Sequence, residues 1–138
     1  MSDYKRPLPQ PDRETSFYWE AARRHELAIL RCDRCGYYIH YPRAECPRCG
    51  ASSLHPGRMS GQGTVHSFTV THYVSAPGFE DAIPFVVALI ELAEQPNLRI
   101  TANLRDCPPA AVRIGMPVEA VFDDVTPEIT LPQFRPRQ

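Results

Sequence analysis

Four of the chain's five cysteines fall into two CxxCG knuckles, Cys32-Asp33-Arg34-Cys35-Gly36 and Cys46-Pro47-Arg48-Cys49-Gly50, separated by ten residues. Two residues between ligands let both thiolates of a knuckle turn toward one ion, and the glycine that follows accepts the positive φ of a tight turn. The chemistry implied is structural. Four thiolates fill a tetrahedral ion and leave no position for a substrate or an activated water. Zinc is the expected ion. Iron held as in rubredoxin is the rival, since the same knuckles would then carry electrons, but small ribbons attached to another domain more often hold zinc. Metal binding of this kind contributes on the order of 10 kcal/mol in zinc-finger peptides, enough to fold a short polar segment such as Cys32 to Leu54.

The remaining candidates for chemistry are weak. Cys107, in Asp106-Cys107-Pro108-Pro109, is the fifth cysteine; as a nucleophile it would need a nearby base and a depressed pKa, and the sequence shows neither, so a loop thiol is the expected reading. His66 and His72 lie on one expected strand and one face, but six extended residues span about 20 Å, too far for joint ligation. Both are read as structural or surface histidines. No GxSxG, P-loop, GxGxxG or HExxH motif occurs, so no catalytic residue is assigned.

Around the cysteines, 138 residues suffice for one compact domain or two small ones. Three segments are expected: an arm, helix and lead-in strand over 1–31, the zinc ribbon over 32–56, and an OB-like domain over 57–138. The first ten residues hold prolines and no periodic pattern, and read as an arm that orders only against something else. From Thr15 or Ser16, either able to cap, the stretch Phe17-Tyr18-Trp19-Glu20-Ala21-Ala22-Arg23-Arg24-His25 reads as about three turns of helix. Leu27 to Arg31 leads as a short strand into the first knuckle. Gly57, Gly61 and Gly63 read as a flexible joint between ribbon and barrel.

From Gly61 onward the apolar period is two. Strands are expected over Thr64–Val74, Phe85–Leu92, Arg99–Leu104 and Val118–Phe122. The third alternates buried and wet positions. Phe85–Leu92 is apolar on both faces and requires cover on both, from the N-terminal helix or a partner. The fold class is therefore mainly β: an N-terminal helix, a four-cysteine zinc ribbon and a small OB-like Greek-key barrel.

Charge is split between the halves. Residues 1–60 carry 10 Lys/Arg and 7 Asp/Glu, whereas residues 61–138 carry 5 and 9, net +3 against −4. A protein gripping nucleic acid along its length would be basic throughout. Fourteen arginines stand against the single Lys5, a balance that favours forked contact with phosphate or carboxylate. No run approaches the roughly 20 apolar residues of a membrane span, and the N-terminus lacks a signal-peptide core. Cytoplasmic placement, with reduced thiols free to bind metal, is expected.

Taken in order, Phe17-Tyr18-Trp19-Glu20-Ala21-Ala22-Arg23-Arg24, the ribbon with Tyr41-Pro42-Arg43, Gly61-Gln62-Gly63-Thr64-Val65, Ile83-Pro84-Phe85-Val86-Val87-Ala88-Leu89, Gly115-Met116-Pro117-Val118-Glu119-Ala120-Val121-Phe122 and Leu131-Pro132-Gln133-Phe134-Arg135-Pro136 resemble the zinc-ribbon/OB-fold family associated with acyl-CoA enzymes, domain of unknown function 35. The resemblance covers Thr15 to Pro136. In that family a glycine commonly stands where this chain has His25. The resemblance implies a non-catalytic subunit that binds acyl-CoA and docks on a thiolase-superfamily, lipid-transfer-protein-like aldolase, including those acting on steroid side chains, or on a MaoC-type hydratase. It directs attention to Arg23, Arg24, Arg34, Arg43 and Arg48 for the CoA phosphates, and to Phe17, Tyr18, Trp19, Phe85 and Phe134 for the partner, with Phe134 alternatively closing the barrel. A nucleic-acid-binding ribbon/OB module is the alternative from another class, and an enzyme using Cys107 a third.

Overall fold

The computed structural model describes residues 4–137; residues 1–3 of the expected arm and residue 138 lie outside the described residues. Helix α1 runs Ser16–Arg23, shorter than the three turns expected. Thr15 occupies the N-cap, but its hydroxyl makes no cap bond. That hydroxyl turns back to Asp12, whose Oδ1 accepts from it at 3.0 Å and from the Thr15 and Glu14 N–H groups at 2.9 and 3.0 Å. These bonds hold the Asp12 carboxyl below its ordinary pKa, the Thr15 N–H contributing most. At the other end His25, with φ +60°, stops the helix. Its N–H reaches Ala22 O at 2.8 Å and that of Glu26 reaches Ala21 O at 2.9 Å, the bond pair of a Schellman cap.

Strands β1 (Ala28–Cys32), β2 (Tyr38–Ile39) and β3 (Leu54–Arg58) form an antiparallel sheet in the order β2-β1-β3 that carries the knuckles. Strand β3 includes Pro56 and Gly57, so Gly57 is paired with Ile29 rather than lying in a slack joint. The same correction applies to Gly63. It sits opposite Leu92 in a ladder, and a Cβ there would come within 2.5 Å of Glu91 O. Close backbone approach, rather than flexibility, explains that glycine.

Strands β4 (Gln62–Thr71), β5 (Phe85–Leu92), β6 (Arg99–Asn103), β7 (Pro117–Asp124) and β8 (Thr130–Pro136) form a sheet in the order β6-β5-β4-β7-β8, with a 3₁₀ turn at Pro109–Ala111 between β6 and β7. It curls until a parallel bridge joins Leu104 to Phe134, and Arg105 N–H donates to Phe134 O at 2.6 Å. The result is a nearly closed five-stranded OB-like barrel. Phe134, Ile90, Val118, Val65 and Val86 fill it, with Leu27, Ile29 and Met59 packed alongside. Phe134 is wholly buried, so it closes the barrel and is removed from the surface residues. Such a side chain contributes about 1.5–3 kcal/mol through burial alone.

Strand β5 spans the residues expected. Its inner face, Val86, Ala88, Ile90 and Leu92, is buried, while Phe85, Val87 and Leu89 on the outer face are half-covered. The helix does not provide the second cover, because α1 packs on β1 and β8. Strand β4 ends before His72 and is irregular between Val65 and Ser67. A bulge at His66 breaks the period-two alternation, so His66 and His72 do not share the face expected. Both are exposed. The arm from Tyr4 lies along the loop after β4: Arg6 donates to Gly78 O at 2.9 Å and stacks 4.9 Å over the Phe79 ring.

Candidate metal centre and its surroundings

The four knuckle sulfurs lie within 4.8 Å of one another. Cys32 and Cys49 approach to 3.6 Å, as do Cys35 and Cys46. A tetrahedral ion with Zn–S bonds of about 2.3 Å separates its sulfurs by about 3.8 Å, so the cage fits zinc with only small movements. Local backbone builds it. Gly36 and Gly50, at φ +77° and +78°, let their N–H groups return to Cys32 O and Cys46 O at 3.0 and 2.9 Å. The Cys35 N–H points at Cys32 Sγ (3.5 Å) and that of Arg48 at Cys46 Sγ (3.4 Å), which favours thiolate at both.

The titration of the cluster carries the same message. Cys32 is drawn down to about 6, chiefly by the Cys35 N–H. Cys35 is lowered by the Tyr37 N–H, but burial and the sulfurs of Cys46, Cys49 and Cys32 outweigh it and push the thiol up to about 11. Sulfurs this close cannot all ionise without a cation among them. Leu30, Ile39, Cys32 and Cys46 are buried around the cage, and Phe17, Tyr37 and Leu54 pack against them. Phe17 therefore ties the helix to the ribbon. Gln95, in the turn between β5 and β6, ties the ribbon to the barrel: its amide donates to Tyr38 O at 3.0 Å and accepts from Tyr38 N–H at 2.9 Å.

The five arginines singled out from the sequence are all exposed. Arg34 and Arg48 sit on the two knuckles, Arg43 on the loop joining them, and Arg23 and Arg24 at the end of α1. Arg24 pairs with Glu26 at 3.7 Å and Arg48 lies 5.7 Å over the Tyr37 ring. On the barrel, Arg99, Arg105 and Arg135 are bound to Glu91, Asp123 and Glu119. These three arginines therefore face carboxylates of the barrel rather than standing free. Cys107 is half-buried against the barrel core, and its thiol meets Pro108 O at 3.7 Å; among the described residues no base touches it.

Sequence reasoning overlooked His40. The aromatic run Tyr37-Tyr38-Ile39-His40-Tyr41, in a segment read as polar, was the available signal. Here the His40 ring lies tilted against those of Tyr18 (6.2 Å, 33°) and Tyr41 (4.4 Å, 40°). Burial pushes His40 down to about 4 and raises Tyr18 above the usual phenol range. With Trp19 and Pro42 they wall a cleft of about 210 Å³ between helix, ribbon and β6.

Comparison with known proteins agrees with this architecture. Residues 19–55 match the rubredoxin-like zinc ribbon domain of ChsH2 and residues 57–123 its C-terminal OB-fold domain. This chain belongs to the ChsH2/DUF35 family. It is 42% identical over 101 residues to a DUF35 domain-containing scaffold protein of Methanocaldococcus jannaschii, covering 72% of this chain and 69% of that one. It is 40% identical over 131 residues to a probable enoyl-CoA hydratase alpha subunit of Thermomonospora curvata, covering 95% of this chain. With a 3-oxo-4,17-pregnadiene-20-carboxyl-CoA hydratase alpha subunit of Mycobacterium tuberculosis it shares 39% over 116 residues, 84% of this chain. The chain spans only 40% and 36% of the length of those two hydratase subunits. Among solved structures, a chain of the Ltp2-ChsH2(DUF35) aldolase superposes with a TM-score of 0.85 at 40% identity, covering 94% of this chain and 98% of that one. Among the described residues no helix is long and apolar enough to cross a membrane.

Proposed function

We propose that this ChsH2/DUF35 chain is a non-catalytic accessory subunit that docks on a thiolase-superfamily, lipid-transfer-protein-like aldolase, or on a MaoC-type hydratase, stabilises it and helps hold its acyl-CoA substrate. The observation that carries this reading is the near-complete correspondence with the ChsH2(DUF35) chain of an aldolase. The hydratase subunit acting on a pregnadiene carboxyl-CoA supports a place in steroid side-chain breakdown.

The mechanism is indirect. Four thiolates occupy the metal fully, so the ion supplies rigidity to the ribbon and no reaction step. Nucleophile and base come from the partner. Arg23, Arg24, Arg34, Arg43 and Arg48 can fork onto the CoA phosphates. Phe85 supplies apolar contact for the partner, with Phe17, Tyr18 and Trp19 committed to the ribbon and the cleft beside it; the outer face of β5, with Phe85, Val87 and Leu89 half-covered, suits a protein surface. The test is co-expression with a thiolase-like protein encoded beside this chain, purification on a tag carried by this chain alone, and an assay of CoA-thioester cleavage. Co-purification with activity that neither protein has alone is the expected result. Elution of this chain by itself, zinc-loaded and inert, refutes it.

A further inference from the structure

The barrel is sealed along only part of its seam. Leu92 N–H donates to Leu98 O at 2.8 Å and Leu104 N–H to Val86 O at 3.3 Å. With the register Ile90↔Ile100 and Ala88↔Ala102, these bonds show that alternate residues of β6, Leu98, Ile100, Ala102 and Leu104, turn their backbone groups toward β5. Arg99, Thr101 and Asn103 turn theirs the other way, into the seam. At the Asn103 end the seam is filled, because Asn103 N–H donates to Gln133 Oε1 at 2.7 Å. The N–H and C=O of Thr101 meet no partner among the described residues.

Beside Thr101 opens the cleft walled by Tyr18, Trp19, His40, Tyr41 and Pro42. None of these side chains is charged near neutral pH, His40 included, since burial holds it deprotonated. A narrow uncharged slot with an aromatic wall and one free backbone donor–acceptor pair selects a neutral chain bearing secondary amides. A protein strand is the poorer match. Only Arg99 and Thr101 offer free edge groups, against the roughly five or six residues of an ordinary strand. The N–H and C=O of one edge residue, pointing the same way, can bond two successive amides of a ligand. A pantetheine arm carries two such amides and no charge between its thiol and its phosphates.

We propose that the cleft between α1, the ribbon and β6 receives the pantetheine arm of an acyl-CoA, its two amides bonding the free N–H and C=O of Thr101. This rests on the acyl-CoA reading above and gives it a place: phosphates toward the exposed arginines, of which Arg43 follows Pro42 directly, and the thioester carried past Tyr41 toward the partner.

The test titrates the zinc-loaded, ¹⁵N-labelled full chain with pantetheine, acetyl-CoA and 3′,5′-ADP. Pantetheine and acetyl-CoA are expected to shift the Thr101 amide and Trp19 indole signals, whereas 3′,5′-ADP leaves them in place. Thr101→Pro deletes an N–H that bonds no neighbouring strand, a position where proline is tolerated. It should weaken acetyl-CoA about three- to tenfold, the worth of one hydrogen bond. Tyr41→Ala, at a side chain that is 69% exposed, should weaken it without disturbing the fold. Acetyl-CoA binding that shifts only the arginine-bearing segments and is unchanged in both variants overturns the cleft but leaves the acyl-CoA reading standing. Absence of binding by all three probes overturns both.

Discussion

His25 Nε2 stands 3.0 Å from each carboxylate oxygen of Asp124, across 99 residues of chain. The ring also stacks on Phe122 at 5.3 Å with planes 9° apart. A residue at the left-handed position of a Schellman cap is normally glycine, because a Cβ there is strained. Here the strain is offset by tertiary contact, which joins the helix end to β7. His25→Gly therefore trades one term for the other and should leave the melting temperature nearly unchanged. His25→Ala loses the contact and keeps the strain. It should be the less stable of the two by about 1 kcal/mol, read from chemical denaturation of both variants.

Asp124 has a second partner. The Thr130 hydroxyl donates to its Oδ1 at 2.5 Å, and this bond first, with His25 next, holds the carboxyl below its ordinary 3.8. A depressed carboxylate stabilises the folded chain above its unfolded pKa and loses that contribution as pH falls through the folded one. Asp124→Asn should therefore be less stable than the parent at neutral pH, with the difference shrinking below about pH 3.8. Melting curves of both proteins from pH 7 to pH 2.5 measure it. A difference constant with pH would show that the carboxylate's charge is not what matters.

His40 is shifted in the same direction as Asp124 but for a different reason, the neutral form rather than the charged one being favoured. Burial lowers it from 6.5 to about 4, so the folded state prefers the neutral ring. That preference is fully present above the unfolded value near 6.5 and is lost as pH falls from there toward about 4. The ring resonances of His40 should titrate near pH 4 in the folded protein. His40→Phe should flatten the dependence of stability on pH between about 4 and 6.5, the range that His40 alone is expected to govern among the cleft residues.

How far this architecture could be read from sequence depended on whether chain-local rules were obeyed. The knuckles, where two glycines meet the φ demand of a tight turn, and β5, a run of apolar residues between turns, were legible because local pattern and final structure agree. Strand β8 was hidden by Pro132 and Pro136, and β3 by Pro56-Gly57. Both lie at the edge of a sheet, where a missing N–H on the outer side costs no ladder bond. The two residues of β2 are too few to show a period. The cleft was invisible for a different reason: Tyr18, Tyr41 and Thr101 are brought together by the Gln95–Tyr38 amide bonds, a contact across 57 residues that no local pattern encodes.

The purified chain should hold one zinc ion, and Cys46→Ser should lose it. Because zinc ribbons draw on the order of 10 kcal/mol from the ion, chelation should release the Cys32–Leu54 segment from its fold, seen as collapse of the dispersed amide signals there. Cys107→Ser should leave zinc content and stability unchanged, since its thiol stands outside the four-sulfur cluster.

Gly63 tests the close packing of β4 on β5. A Cβ at this position would lie 2.5 Å from Glu91 O and 2.9 Å from Ile90 Cγ2, and the first of these is backbone that cannot swing aside. Gly63→Ala should thus cost about 1–3 kcal/mol, the usual penalty of forcing extra volume into a packed interior. Gly50 has a positive φ but open space around the place of its Cβ, so Gly50→Asn, with a residue that tolerates left-handed backbone, should cost far less. A loss at Gly63→Ala no larger than that at Gly50→Asn would mean that the approach of the β5 carbonyl is not what Gly63 serves, since its own φ lies outside the left-handed region.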